Sequence, residues 1–218
     1  MTTIGFLHTS RHHAATFRAL VDELLPGVEV VEVVDEVVLD QARRLGERDV
    51  RVLGAIADRL AELTAADVVV CTCSTLGGVA ERVGRAAGVD VVRVDRAMVQ
   101  QAVELAATGR TNRVAVIAAL ASTIEPTREL FDEVMLATGA TPQIDVHVID
   151  GAWEHFEAGD QEAYLDAIAA RLPAFAADVD VIVLAQASMA PAVGRVEPSV
   201  PVLSSPRLAI EALRAAST

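Results

Sequence analysis

Two cysteines stand two residues apart in Cys71-Thr72-Cys73, closing the apolar run Asp67-Val68-Val69-Val70. Ser74 and Thr75 follow, and a helical pattern begins near Leu76. A thiol beside a helix N-terminus has its thiolate favoured by the dipole and by free backbone N–H groups. A thiolate is a competent base or nucleophile near neutral pH. A free cysteine is also a common small core residue, and Cys71, deeper in the same strand, reads that way. A bridge between two cysteines so close would be strained. Ser74 and Thr75 add hydroxyls and early-helix N–H groups, a setting for a carboxylate and equally for plain N-capping.

A second group of candidates is His8-Thr9-Ser10-Arg11-His12-His13, which holds three of the five histidines. His8 ends the first apolar run and should face a ligand there. Arg11, His12 and His13 open the next helix, and a positive lip at that place would attract an acidic substrate. His8 and His12 do not share a helix, so they make a poor metal pair, and no metal is expected. No nucleotide or dinucleotide cofactor is expected either. The first strand lacks a GxGxxG or GKS/GKT phosphate cradle, and the Gly-x-Ser-x-Gly elbow is absent.

These residues must be held by a scaffold. Apolar runs of strand length alternate with longer helical patterns through all 218 residues. Strands are expected near 3–8, 28–34, 67–73, 90–94, 113–118, 143–148, 180–186 and 200–204. Helices are expected near 12–25, 47–64, 76–87, 96–108, 124–138, 160–177, 189–195 and 206–216. Such alternation implies parallel sheets covered by helices on both faces. Trp153, His155 and Phe156 fall in an irregular stretch and are expected to pack. The composition agrees: 52% of residues are hydrophobic but only 3% aromatic, the palette of Val-rich strands under Ala-rich helices.

The chain also repeats itself. Arg18-Ala19-Leu20-Val21-Asp22-Glu23 recurs as Arg128-Glu129-Leu130-Phe131-Asp132-Glu133, and Ile4-Gly5-Phe6-Leu7 lies on Val114-Ala115-Val116-Ile117 at the same shift. Asp67-Val68-Val69-Val70 recurs as Asp180-Val181-Ile182-Val183. The fold class is therefore α/β, with two pseudo-symmetric open parallel-sheet halves. The first is expected over 1–97 plus 206–218, the second over 98–205. Ligands of open α/β sheets sit beyond the carboxyl ends of the strands. Four loops should then surround a cleft between the halves: His8–His13, Cys73–Gly77, Ala119–Glu125 and Gln186–Met189. Ser122, Thr123 and Ser188 would add neutral donors to those of Ser74 and Thr75.

Charge and hydropathy exclude several functions. A formal net charge of -13, with no basic stripe or aromatic platform, argues against nucleic acid and anionic lipid. No apolar run approaches ~18 residues, so no membrane span is expected. The opening MTTIGFLHTS lacks a basic n-region, which points to the cytoplasm and reduced thiols. Self-association into a homo-oligomer is left open.

Three segments resemble the aspartate/glutamate racemase superfamily, which also includes hydantoin racemases, maleate isomerase and arylmalonate decarboxylase. Asp67–Thr75 (DVVVCTCST) is similar to its first cysteine motif. Val181–Met189 (VIVLAQASM) is similar to its second, and Val114–Pro126 (VAVIAALASTIEP) to its third strand and hydroxyl-bearing loop. The resemblance implies a cofactor-independent isomerase or racemase acting next to a carboxylate on a small acid. Cys73 would match the first catalytic thiol. Gln186 stands where the second is expected, and its amide has no titratable proton near neutral pH. Gln186 would instead hydrogen-bond a carboxylate or enediolate oxygen. His8, Thr9, Ser10, Ser74, Thr75, Ser122, Thr123, Ala187 and Ser188 would hold the substrate. Decarboxylation by a single thiol is the rival within the superfamily, and a non-catalytic small-acid binder the rival outside it.

Overall fold

The computed structural model describes residues 2–216. The chain divides into two compact units: one takes the described residues through Arg96 and again from Pro206, the other runs Ala97–Ser205.

The first unit is a parallel sheet in the order β2-β1-β3-β4. Its strands are β1 (Thr3–His8), β2 (Glu29–Val34), β3 (Val68–Cys71) and β4 (Val91–Arg93). β1 is central and buried at all but Thr3, because helices cover both faces. On one face Leu7, Val69 and Cys71 pack with Val38 and Ala42 of α2 (Glu36–Leu45), Val52, Ile56 and Leu60 of α3 (Val50–Ala61), and Val79 and Ala80 of α4 (Gly77–Ala87). On the other, Phe6 meets Phe17 of α1 (Arg11–Leu24), ring centroids 5.5 Å apart. The last helix, α10 (Ser205–Ala216), returns to this unit, where Arg207 pairs with Glu23 of α1 at 2.8 Å.

The second unit repeats the plan in the order β6-β5-β7-β8. It contains β5 (Arg113–Ala118), β6 (Gln143–Val148), β7 (Val181–Leu184) and β8 (Val202–Ser204). Chain enters through α5 (Arg96–Thr108), and α6 (Ile124–Thr138) connects β5 to β6. Ile117, Ile182 and Leu184 pack against α7 (Ala152–Glu157) and against Tyr164, Leu165 and Ile168 of α8 (Gln161–Ala169). Even the anchors are duplicated. Asp67 accepts from the Thr3 N–H at 2.8 Å, and Asp180 accepts from the Arg113 N–H at 3.2 Å. Each carboxylate enters the third strand of its unit and holds the start of the first.

Several expected elements are corrected. β3 ends at Cys71 and β7 at Leu184, so Cys73 and Gln186 lie two residues beyond their strands. α2 lies between the strand expected near 28–34 and the helix expected near 47–64, where no element was expected; it turns only Val38 and Ala42 to the core, so its apolar signal is faint. Its caps are clear, however: Asp35 accepts from the Val37 and Val38 N–H groups, and Gly46 ends it. Trp153, His155 and Phe156 lie on the short helix α7. The helix expected over 160–177 breaks into α8 and α9 (Leu172–Phe175), because Pro173 cannot continue α8. The helix expected over 189–195 is a 3-10 turn, Ala187–Arg195, with Pro191 inside.

Candidate active site

Beyond the carboxyl end of β3 the chain turns through Thr72–Leu76 before α4 begins. The Thr72 N–H reaches back to the Leu7 carbonyl (3.0 Å), and the Leu76 N–H closes the turn on the Cys73 carbonyl (3.1 Å). This geometry aims backbone donors at one atom. The Cys73 sulfur is met by the Thr9 hydroxyl and by the Leu76 and Thr75 N–H groups. Burial pushes the thiol up, and these donors pull it back without cancelling the burial. The resting group is therefore a sheltered thiol, not the ready thiolate expected from a helix N-terminus alone. Burial also pushes the Cys71 thiol up, and that thiol contacts the Cys73 carbonyl at 3.9 Å. Both cysteines are free. The Ser74 hydroxyl is buried with no hydrogen-bond partner. An unpaired buried hydroxyl costs about 1–3 kcal/mol, which a bound acceptor would relieve.

Behind the turn lies a pair that the motif reading passed over. Arg93, 3% exposed, and Asp95, 0% exposed, form a two-pronged ion pair at 2.7 and 2.9 Å. The same guanidinium donates to the Ser74 carbonyl at 3.3 Å. The clue in the sequence was a charged residue in the apolar run VVRVD, since a buried arginine requires a partner.

The basic segment behaves differently from expectation. His8 is fully buried, stacked on Phe6 at 5.4 Å, with Nδ1 2.9 Å from the Thr72 hydroxyl. His13 also approaches that hydroxyl, at 3.5 Å. Burial, then the Arg18 charge, lowers His8 to about 4; burial, then His8 and His12, lowers His13 to about 4. Both are neutral at pH 7. Arg11 is exposed and paired with Glu36 at 3.1 Å. Ser10 caps α1, accepting from the His12 N–H. The segment thus packs and caps, and His8 and His13 form no positive lip. Because the unfolded chain takes up protons near pH 6.5 and the folded chain does not until about 4, stability is complete above 6.5 and falls as pH drops. Chemical denaturation at pH 7 and pH 5 should differ by on the order of 2 kcal/mol per histidine. Equal stability at the two values would show that these rings are not held neutral.

In the second unit, Gln186 sits just past β7 and is 8% exposed. Its carbonyl accepts from the Ala119 N–H at 2.9 Å. Its NH2 donates to the Thr123 hydroxyl at 2.9 Å and to the Leu120 carbonyl at 3.4 Å. Both amide donors are engaged, so Gln186 ties the end of β7 to the loop after β5. Ser188 shares a 2.8 Å hydrogen bond with the Tyr164 hydroxyl, and Ala187 is buried. Ser122, like Ser74, keeps a buried hydroxyl without a partner. Among the described residues, no cluster of His, Cys, Asp or Glu could hold a metal, and no helix is long and apolar enough to cross a membrane.

No family model and no curated protein matches the sequence. Solved structures do match. A glutamate racemase isoform from Bacillus anthracis superposes with a TM-score of 0.73 at 16% identity, over 99% of this chain and 81% of that one. The chain has the aspartate/glutamate racemase fold. A putative Asp/Glu racemase from Yersinia pestis aligns at TM-score 0.72 and 17% identity, over 100% of this chain and 99% of that one. An arylmalonate decarboxylase variant aligns at 0.57 and 20%, over 99% and 93%. Identities this low establish the racemase fold and leave the chemistry to the residues. Within that fold, Thr9, Cys73, Ser74 and Thr75 are brought together in the first unit, and Thr123 and Gln186 in the second.

Proposed function

We propose that the protein is a cofactor-independent enzyme that acts next to a carboxylate on a small acid, with Cys73 as its proton-transfer group. The observation that carries this reading is the sulfur itself, sheltered and met by the Thr9 hydroxyl and two backbone N–H groups. Those donors suit a thiolate formed during reaction, and the unpartnered Ser74 hydroxyl beside them suits a substrate oxygen. Isomerisation is the leading reaction class, in keeping with the racemases that share the fold, and racemisation of a stereocentre should be slow or absent because one thiol serves one face. Reduced thiols go with a cytoplasmic setting.

One observation favours a second reading. A thiol whose proton affinity burial raises is protonated at rest, which equips it as a donor. In the decarboxylation of an acid with two carboxylates on one carbon, the bond to one carboxylate breaks, carbon dioxide leaves, and the electron pair is delocalised into the remaining carboxylate as an enediolate. The Cys73 thiol would then give its proton to carbon and regain one from water. A single thiol serves one face, which this reaction needs and direct inversion does not satisfy.

Incubation of a panel of mono- and dicarboxylic acids in deuterated water separates the readings. Isomerisation keeps every carboxylate. Decarboxylation releases carbon dioxide and labels one face of the product. Thermal stabilisation by an acid without turnover would make the protein a binding module, and neither turnover nor stabilisation across the panel would refute the reading.

A further inference from the structure

Buried ion pairs are seldom retained for stability, because desolvation offsets most of their attraction. The Arg93–Asp95 pair therefore invites a question about what it holds. Asp95 takes the Nε and one terminal nitrogen of Arg93, which fixes the plane of the guanidinium. That plane lies against the turn. One terminal nitrogen reaches the Ser74 carbonyl, and the first residues of α4 run directly over the side chain. A Cβ on Gly77 would come 2.6 Å from the Arg93 Cβ, and one on Gly78 would come 3.1 Å from a guanidinium nitrogen. Glycine at both positions lets α4 start on top of this arginine. The Arg93 N–H is itself held by Glu81 of α4 at 3.0 Å, and Glu81 also pairs with Arg96 at 2.7 Å.

We propose that Arg93 and Asp95 are positioning residues for Cys73: the guanidinium, oriented by Asp95, holds the Ser74 carbonyl and so keeps the Thr75 and Leu76 N–H groups on the sulfur. Among the described residues, the ionisable groups next to the turn are Cys71 on β3, Arg93 on β4, Asp95 just beyond it, and His8 and His13, which meet the Thr72 hydroxyl. The β1 end contributes Thr9, which is neutral. Asp95 acts on the thiol through its charge, in the sense that disfavours the thiolate. The inference rests on Cys73 as the reacting group, but its readout is the thiol and not turnover, so the two can fail separately.

The experiment measures alkylation of Cys73 against pH in the Cys71→Ser protein, whose new hydroxyl can still donate to the Cys73 carbonyl. A small neutral reagent and a bulky one are compared. Asp95→Asn leaves Arg93 charged and unbalanced, since a guanidinium does not lose its proton. The midpoint should fall by about one pH unit. The rate at pH 7 should rise about threefold, because the gain in thiolate is partly offset by weaker nucleophilicity. The ratio of small-reagent to bulky-reagent rates should stay constant, because the amide oxygen still accepts from the guanidinium and the turn stays closed. Should that variant not fold, Arg93→Met with Asp95→Leu carries the test, since apolar replacements of a buried pair are tolerated. There the Ser74 carbonyl loses its donor, and the rate ratio should fall towards that of a CTCST peptide. A double variant with an unchanged ratio would overturn the proposal.

Discussion

Replacing Cys73 by alanine is expected to reduce turnover by about a thousandfold, the scale of a lost proton-transfer group. The folded state should survive. Cys73 packs with the first unit's core and is 6% exposed, and removal of its one sulfur atom should cost only about 1 kcal/mol. Circular dichroism and a thermal melt check the fold, and the carboxylic acid panel checks the rate. The argument is one of supply. The other groups next to the turn are hydroxyls, backbone amides, a buried ion pair, the Cys71 thiol, whose proton affinity burial raises, and His8 and His13, which burial keeps neutral and which meet Thr72 rather than the sulfur. Cys73→Ser should be nearly as inactive, because a hydroxyl can replace the hydrogen bonds but not the acidity. A Cys73→Ala protein that retains a tenth of the natural rate would place the chemistry elsewhere.

The second large effect concerns stability. Gln186→Leu should destabilise the protein by about 3 kcal/mol, because the Ala119 N–H and the Thr123 hydroxyl lose a buried partner together. For a chain of this size that is a fall of roughly 6–12 °C in Tm. Gln186→Glu should lie between the two, since its carboxylate can still accept from Ala119 but cannot donate to the Leu120 carbonyl. A calorimetric scan of the three proteins tests this. If Gln186 were instead a loosely held substrate ligand, Gln186→Leu would melt with the natural protein and differ only in turnover.

Much of the fold was legible because a parallel sheet covered on both faces writes itself as unbroken apolar runs. Thr3–His8 and Arg113–Ala118 are such runs, buried after their first residue, whereas the edge strand Gln143–Val148 shows as an alternation of polar and apolar residues and is only half-buried. The duplicated Asp67 and Asp180 marked the internal repeat, and their matching hydrogen bonds give it a physical cause. What escaped was local and polar. α2 hid behind Val37 and Val38, which continue the look of β2 although only one of them turns inward. The candidate site was legible at Cys73, Ser74 and Thr75, where strand end, small polar residues and helix start are adjacent in sequence. His8 reads as a ligand because it ends a strand, and its contacts with the rings of Phe6 and Phe17 are invisible from its place in the sequence. Gln186 and Ser188 read as free donors because their partners, Ala119 and Tyr164, lie far away along the chain. Arg93 was overlooked for the same reason, since its contact with Ser74 spans a strand and a helix.

The central claim is that one thiol moves one proton, on one face of a carbon next to a carboxylate. Once a substrate is found, it is tested most directly by solvent deuterium entry at that carbon, measured separately for each enantiomer or product face, in the natural protein and in Cys73→Ala. The account predicts label on a single face in the natural protein and none in the variant. Label on both faces at comparable rates, persisting in Cys73→Ala, would contradict it.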